Sequence, residues 1–111
     1  MNYEFVRTDR FARDLHKLRK KNPQLEQDLT DFLESFDHTR GVTISDTGGA
    51  CKMRMKMTGK GKSGSYRVVY YFCLGNRIFL LTIYAKGAKE DLTPDDKKAI
   101  RGMTADITNL R

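Results

Sequence analysis

Apolar positions along the chain change period twice. Phe11, Leu15 and Leu18 recur at spacings of four and three, the period of an α-helix with one buried stripe. Thr8 precedes them as a candidate N-cap, with Asp9 in the first turn. Asn22 and Pro23 read as the N-cap and first residue of a second helix, whose stripe is Leu25, Leu29, Phe32, Leu33 and Phe36. From residue 51 the period falls to two: in "CKMRMKM", Met53, Met55 and Met57 share one face of a strand while Lys52, Arg54 and Lys56 share the other. Two more strands follow, "YRVVYYFCL" at 66–74 and "RIFLLTIYA" at 77–85, joined by Gly75 and Asn76 as a two-residue hairpin turn. Residues 2–7, "NYEFVR", form a first strand, and 37–50 form a connection with at most a short strand. Thr93 and Pro94 open a last helix, with Asp95 and Asp96 at the positive end of its dipole and Ala99, Ile100, Met103, Ile107 and Leu110 as apolar positions. The order β, α, α, β, β, β, α predicts an α+β fold. In it a small antiparallel sheet carries an N-terminal helical hairpin and a C-terminal helix on one face and leaves the other face open.

With 111 residues, 39% of them hydrophobic, the chain suits one domain over 1–111 with one modest core. Two prolines and no low-complexity tract argue against linkers. The longest apolar run, "IFLLTIYA", is too short to cross a bilayer, and "MNYEFVRTDR" lacks the apolar segment of a secretory signal. A cytoplasmic protein without membrane contact is expected. Cys51 and Cys73 form no C-x-x-C pair and lie near no histidine, and His16 and His38 have no ligand spacing around them. No metal site and no cofactor is expected.

Charge changes the picture. The net charge is +7, but between Thr47 and Lys89 there are nine cations and no acid, so the rest of the chain is slightly acidic. Such a localised excess marks an anion site, with nucleic acid as first candidate. On strand 66–74, Arg67, Val69 and Tyr71 share a face. If Arg67 points the same way as Lys52, Arg54 and Lys56, antiparallel pairing brings four cations within cross-strand distance, roughly 5 Å. Like charges so placed destabilise a sheet, which favours a bound phosphate over a structural purpose. Arg67 is suited to a two-point clamp that lysine does not make. Lys86 and Lys89 follow the last strand, and Lys60 and Lys62 lie in a Gly-rich finger suited to backbone phosphates. Tyr71 offers a ring for base stacking. The finger "GKGKSG" lacks the spacing of a P-loop.

The helical hairpin, "GGACKMRMKM", the basic finger, "SYRVVYYF" and "RIFLLTIYAKGAKEDLTPDDKKAI", in that order, resemble a RelE-type toxin of a bacterial toxin–antitoxin pair, closest to the HigB-like branch. The resemblance covers nearly the whole chain and is most specific from Gly48 to Ile100. It implies an endoribonuclease that enters the 70S ribosome and cuts messenger RNA, without a metal, through the substrate's own 2′-OH. It implies a cognate antitoxin, HigA-like with a helix-turn-helix, and contact with operator DNA only through that complex. On the family's strand positions, Lys52 and Arg54 occupy the basic pair and Arg67 the phosphate-binding arginine, with Lys56 continuing the row. Because arginine does not release its proton in a protein, a lysine is the candidate base, Lys52 ahead of Lys56. Crowding by Arg54, Arg67 and a second lysine disfavours its charged form. Where the family pattern has an arginine after the last strand, this chain has Gly87, and where it has a tyrosine near the final helix, this chain has Thr93. Lys86 is therefore the candidate acid. Two rival readings are a ParE-like inhibitor of DNA gyrase, against which Lys52, Arg54 and Arg67 argue, and a basic nucleic-acid-binding domain without catalysis.

Overall fold

A computed structural model describes residues 2–57, 65–87 and 91–110. β1 (Glu4–Arg7) leads into α1 (Asp9–Lys21) and α2 (Leu25–Glu34); β2 (Val42–Thr43), β3 (Cys51–Lys56), β4 (Ser65–Cys73), β5 (Arg77–Ala85) and α3 (Pro94–Thr108) follow. The strands form one sheet in the order β1-β5-β4-β3-β2. Its four later strands pair antiparallel, as expected, and β1 joins β5 in parallel. No tight hairpin ties β1 to β5, so a parallel edge is open to it.

The caps form where the sequence places them. Thr8 Oγ1 accepts from the Phe11 amide (3.2 Å) and donates to the Leu80 carbonyl (2.8 Å), fixing the start of α1 on β5. Thr93 and Asp96 cap α3 reciprocally. The start of α2 differs: Asn22 Oδ1 accepts from the Gln24 amide (3.1 Å) and its side-chain amide donates to the Tyr66 hydroxyl (3.0 Å), so Asn22 closes the turn before α2 and does not cap the helix. The β4–β5 loop takes three residues, since Cys73 pairs with Arg77. Gly75 (φ 77°) and Asn76 (φ 65°) supply its left-handed conformations.

Alternation along β4 divides the core in two. Val68 and Tyr70 lie with Phe11, Leu15, Leu25, Leu29, Met55 and Leu80 under the helical hairpin. Val69 lies with Phe79, Leu81, Ile100 and Ile107, so α3 packs against the opposite face from α1 and α2. The helical hairpin thus sits on one face as expected, while α3 covers part of the face that the element order left open. The signal lay in β5, whose residues from Ile78 to Tyr84 are all buried; a continuous apolar run belongs to a strand covered on both sides. A register shift between Val69 and Tyr70 pairs Val69 with Thr82 and Tyr70 with Leu80, leaving Leu81 as the extra residue of a bulge. No helix among the described residues is long and apolar enough to cross a membrane.

Candidate functional site

Beyond the N-terminal end of α3, the second face of the sheet carries the cation row. Arg54 and Arg67 are direct partners across β3 and β4; Lys52 faces Val69 and Lys56 faces Ser65. All four therefore point to one side, as the alternation predicts. Ser65 gathers the open end: its hydroxyl accepts from Arg67 Nη1 (3.1 Å) and its carbonyl accepts from the Lys86 amide (3.0 Å). Lys86, two residues beyond Tyr84, thereby falls on the same face at the end of β5. Among the described residues, Arg54, Lys56 and Arg67 form no ion pair with a carboxylate. Arg54 and Lys56 also edge a cleft of about 470 Å³ between α2 and β3, which Asp28, Asp31, Arg40 and Met53 help to line.

The remaining candidates divide. Tyr71 is on the correct face, but its hydroxyl lies 3.0 Å from Thr108 Oγ1 at the far end of α3, away from the row. Lys60, Lys62 and Lys89 lie outside the described residues. The two positions that depart from the family pattern have local reasons. Gly87 has φ 106°, a conformation that a side chain at this position would strain. The Thr93 hydroxyl accepts from the Asp96 amide (3.1 Å) and serves the helix cap.

Two further residues join the site: Tyr84, one of several tyrosines the sequence offers for stacking, and Asp91, for which the sequence carries no signal. Tyr84 pairs with Arg67 and is almost buried, at 8% exposure. Burial pushes its phenol above the ordinary value and the Asp91 charge adds to this, while the Arg67 guanidinium pulls it down. Asp91 approaches from the β5–α3 connection, with Oδ1 3.3 Å from Lys52 Nζ. The Leu92 amide, at 2.8 Å, holds its carboxyl below the usual carboxylate value, and Lys52 acts in the same direction. The row is thus not purely cationic, because an acid beyond the acid-free segment returns to its Lys52 end.

This arrangement can hold and polarise a phosphate: two arginines paired across β3 and β4, lysines on either side of them along the sheet and a buried tyrosine paired with Arg67. The family model of the RelE toxin of the RelE/RelB toxin–antitoxin system matches residues 7–111. The chain belongs to the RelE toxin family. It is a toxin-family protein, and the cation row lies wholly inside the matched span. Among solved structures, a doubly substituted variant of the E. coli toxin RelE in its free state is similar at 20% identity, with a TM-score of 0.49, over 81% of this chain and 90% of that one.

Proposed function

We propose that this RelE-family toxin is a ribosome-dependent messenger RNA endonuclease of the HigB-like branch, acting in the cytoplasm and silenced by a HigA-like antitoxin with a helix-turn-helix. Operator DNA is reached only through the toxin–antitoxin complex. The observation that carries the reading is the Arg54–Arg67 pair, two cations directly opposite each other with no carboxylate partner among the described residues. Folding alone disfavours such a pair, and an RNA phosphate between the guanidiniums relieves it.

The reaction is an internal transfer. The ribose 2′-oxygen attacks the adjacent phosphorus and the P–O5′ bond breaks, leaving a 2′,3′-cyclic phosphate and a 5′-hydroxyl. A base takes the 2′-OH proton and an acid gives one to the leaving O5′. Arg54 and Arg67 stabilise the charge that builds on the phosphorane oxygens. The Asp91 carboxylate lies 3.3 Å from Lys52 Nζ, so Lys52 takes the part of charge stabilisation and Lys56, which has no carboxylate partner among the described residues, that of base. Lys86 donates the proton to O5′. Lys60, Lys62 and Lys89 contact the RNA backbone, while Tyr71, turned toward the far end of α3, takes no part in the cleavage site.

Induction in bacteria tests the proposal. Pulse labelling should show protein synthesis stopping first, with ribosome-bound messages cut. Continued protein synthesis with accumulating DNA breaks would replace this reading with inhibition of DNA gyrase.

A further inference from the structure

Asp91 is the one acid among the described residues that pairs with the cation row, and the helix that follows does not need it as a cap. The cap of α3 is complete without it: Thr93 accepts from the Asp96 amide, and Asp96 accepts from the Thr93 amide at 2.9 Å. Asp91 lies two residues before that cap. Its Oδ1 accepts two hydrogen bonds, one from the amide of Leu92 at 2.8 Å and one from Lys52 Nζ at 3.3 Å. The first has a firm base, because Leu92 is 7% exposed and belongs to the core cluster that seats α3 on the sheet. The second reaches Lys52, whose side chain is only 32% exposed on β3. A buried anchor, a carboxylate and an ammonium therefore follow one another, ending two residues along β3 from the Arg54–Arg67 pair.

A lysine on four rotatable bonds is a mobile charge, and an electrostatic contribution to a reaction depends on where that charge stands. We propose that Asp91 is a positioning residue for the cleavage site, holding Lys52 Nζ at the end of the cation row so that Lys52 meets the reacting phosphate already placed. The proposal rests on the endonuclease reading above. Asp91 touches no substrate atom; it acts through Lys52. The Lys52–Asp91 pair is part-exposed, at 32% and 56%, and contributes little to stability, which leaves placement as the role to be tested.

The test combines two readouts on the full chain. Single-turnover cleavage on programmed ribosomes is measured for wild type, Asp91→Asn, Lys52→Ala and the double variant, while the Lys52 ammonium is followed by nitrogen NMR in the free protein. Asp91→Asn is expected to lower the maximal rate on the order of tenfold to 100-fold, with the half-saturating concentration nearly unchanged. In the Lys52→Ala background the same change should have no further effect, since a positioning residue has nothing left to place. An equal loss in both backgrounds would make Asp91 merely structural. Tighter RNA binding at an undiminished rate would make it a competitor for the phosphate. Either outcome overturns the proposal. The NMR arm does not depend on cleavage: Lys52 should give an ammonium signal protected from exchange in wild type and lost in Asp91→Asn. The same signal in both proteins refutes the anchor. If the wild type cuts no message, the endonuclease reading fails, and Asp91's role in cleavage fails with it, even where the NMR arm shows Lys52 anchored.

Discussion

Replacing Arg67 with alanine is expected to remove cleavage while leaving the fold about as stable as before. Arg67 is opposite Arg54, and like charges at that cross-strand position destabilise a sheet by about 0.2–1 kcal/mol. Alanine relieves this repulsion. It also removes the hydrogen bond from Arg67 Nη1 to Ser65 Oγ, at a cost of about 0.5–1.5 kcal/mol. The two effects oppose, so stability should change by no more than about 1 kcal/mol. Activity has no such compensation: losing a preorganised charge donor commonly lowers the rate about 100-fold to 1000-fold, or roughly 2.7–4 kcal/mol of transition-state stabilisation. Arg67→Lys keeps the charge but not the two-point clamp, and should recover little. Single-turnover cleavage on programmed ribosomes gives the rate, and urea denaturation of the same preparations gives the stability. Near-wild-type cleavage by folded Arg67→Ala would take Arg67 out of the site. A variant that loses several kcal/mol of stability, with a rate that falls only with its folded fraction, would make Arg67 a structural residue.

A Cβ at Gly41 would overlap the hydroxyl of Tyr70, which is fully buried and donates to the His38 carbonyl at 2.7 Å; Gly41→Ala should therefore cost about 1–3 kcal/mol in urea denaturation, and wild-type stability would show that the ring has room to move. Burial holds the Tyr70 phenol above its ordinary value. The folded-state value is raised, so this contribution to stability is complete below the unfolded value of about 10 and is lost as pH rises through the folded one. Tyr70→Phe should be less stable at neutral pH by about 1 kcal/mol, for its lost hydrogen bond, but should show a flatter decline in alkali; an unchanged alkaline slope would count against this role of Tyr70.

Much of this protein is legible in short range. The caps at Thr8 and Thr93 and the two stripes of the helical hairpin involve residues three or four apart, so local spacing suffices to read them. The cation row is nearly as direct: once 51–57 is paired antiparallel with 66–74, period two alone sends Lys52, Arg54, Lys56 and Arg67 to one side, and the register of β3 with β4 makes Arg54 and Arg67 partners. Element order does not say which side of the sheet α3 takes. That was decided by two-sided burial of β5, which gives Ile100 and Ile107 a second apolar surface away from α1 and α2. Asp91 is the clearest case of what spacing does not carry. It stands 39 residues from Lys52 along the chain, and no local pattern joins them. The pair forms because α3, seated on the far face, places the Leu92 end of its connection beside β3.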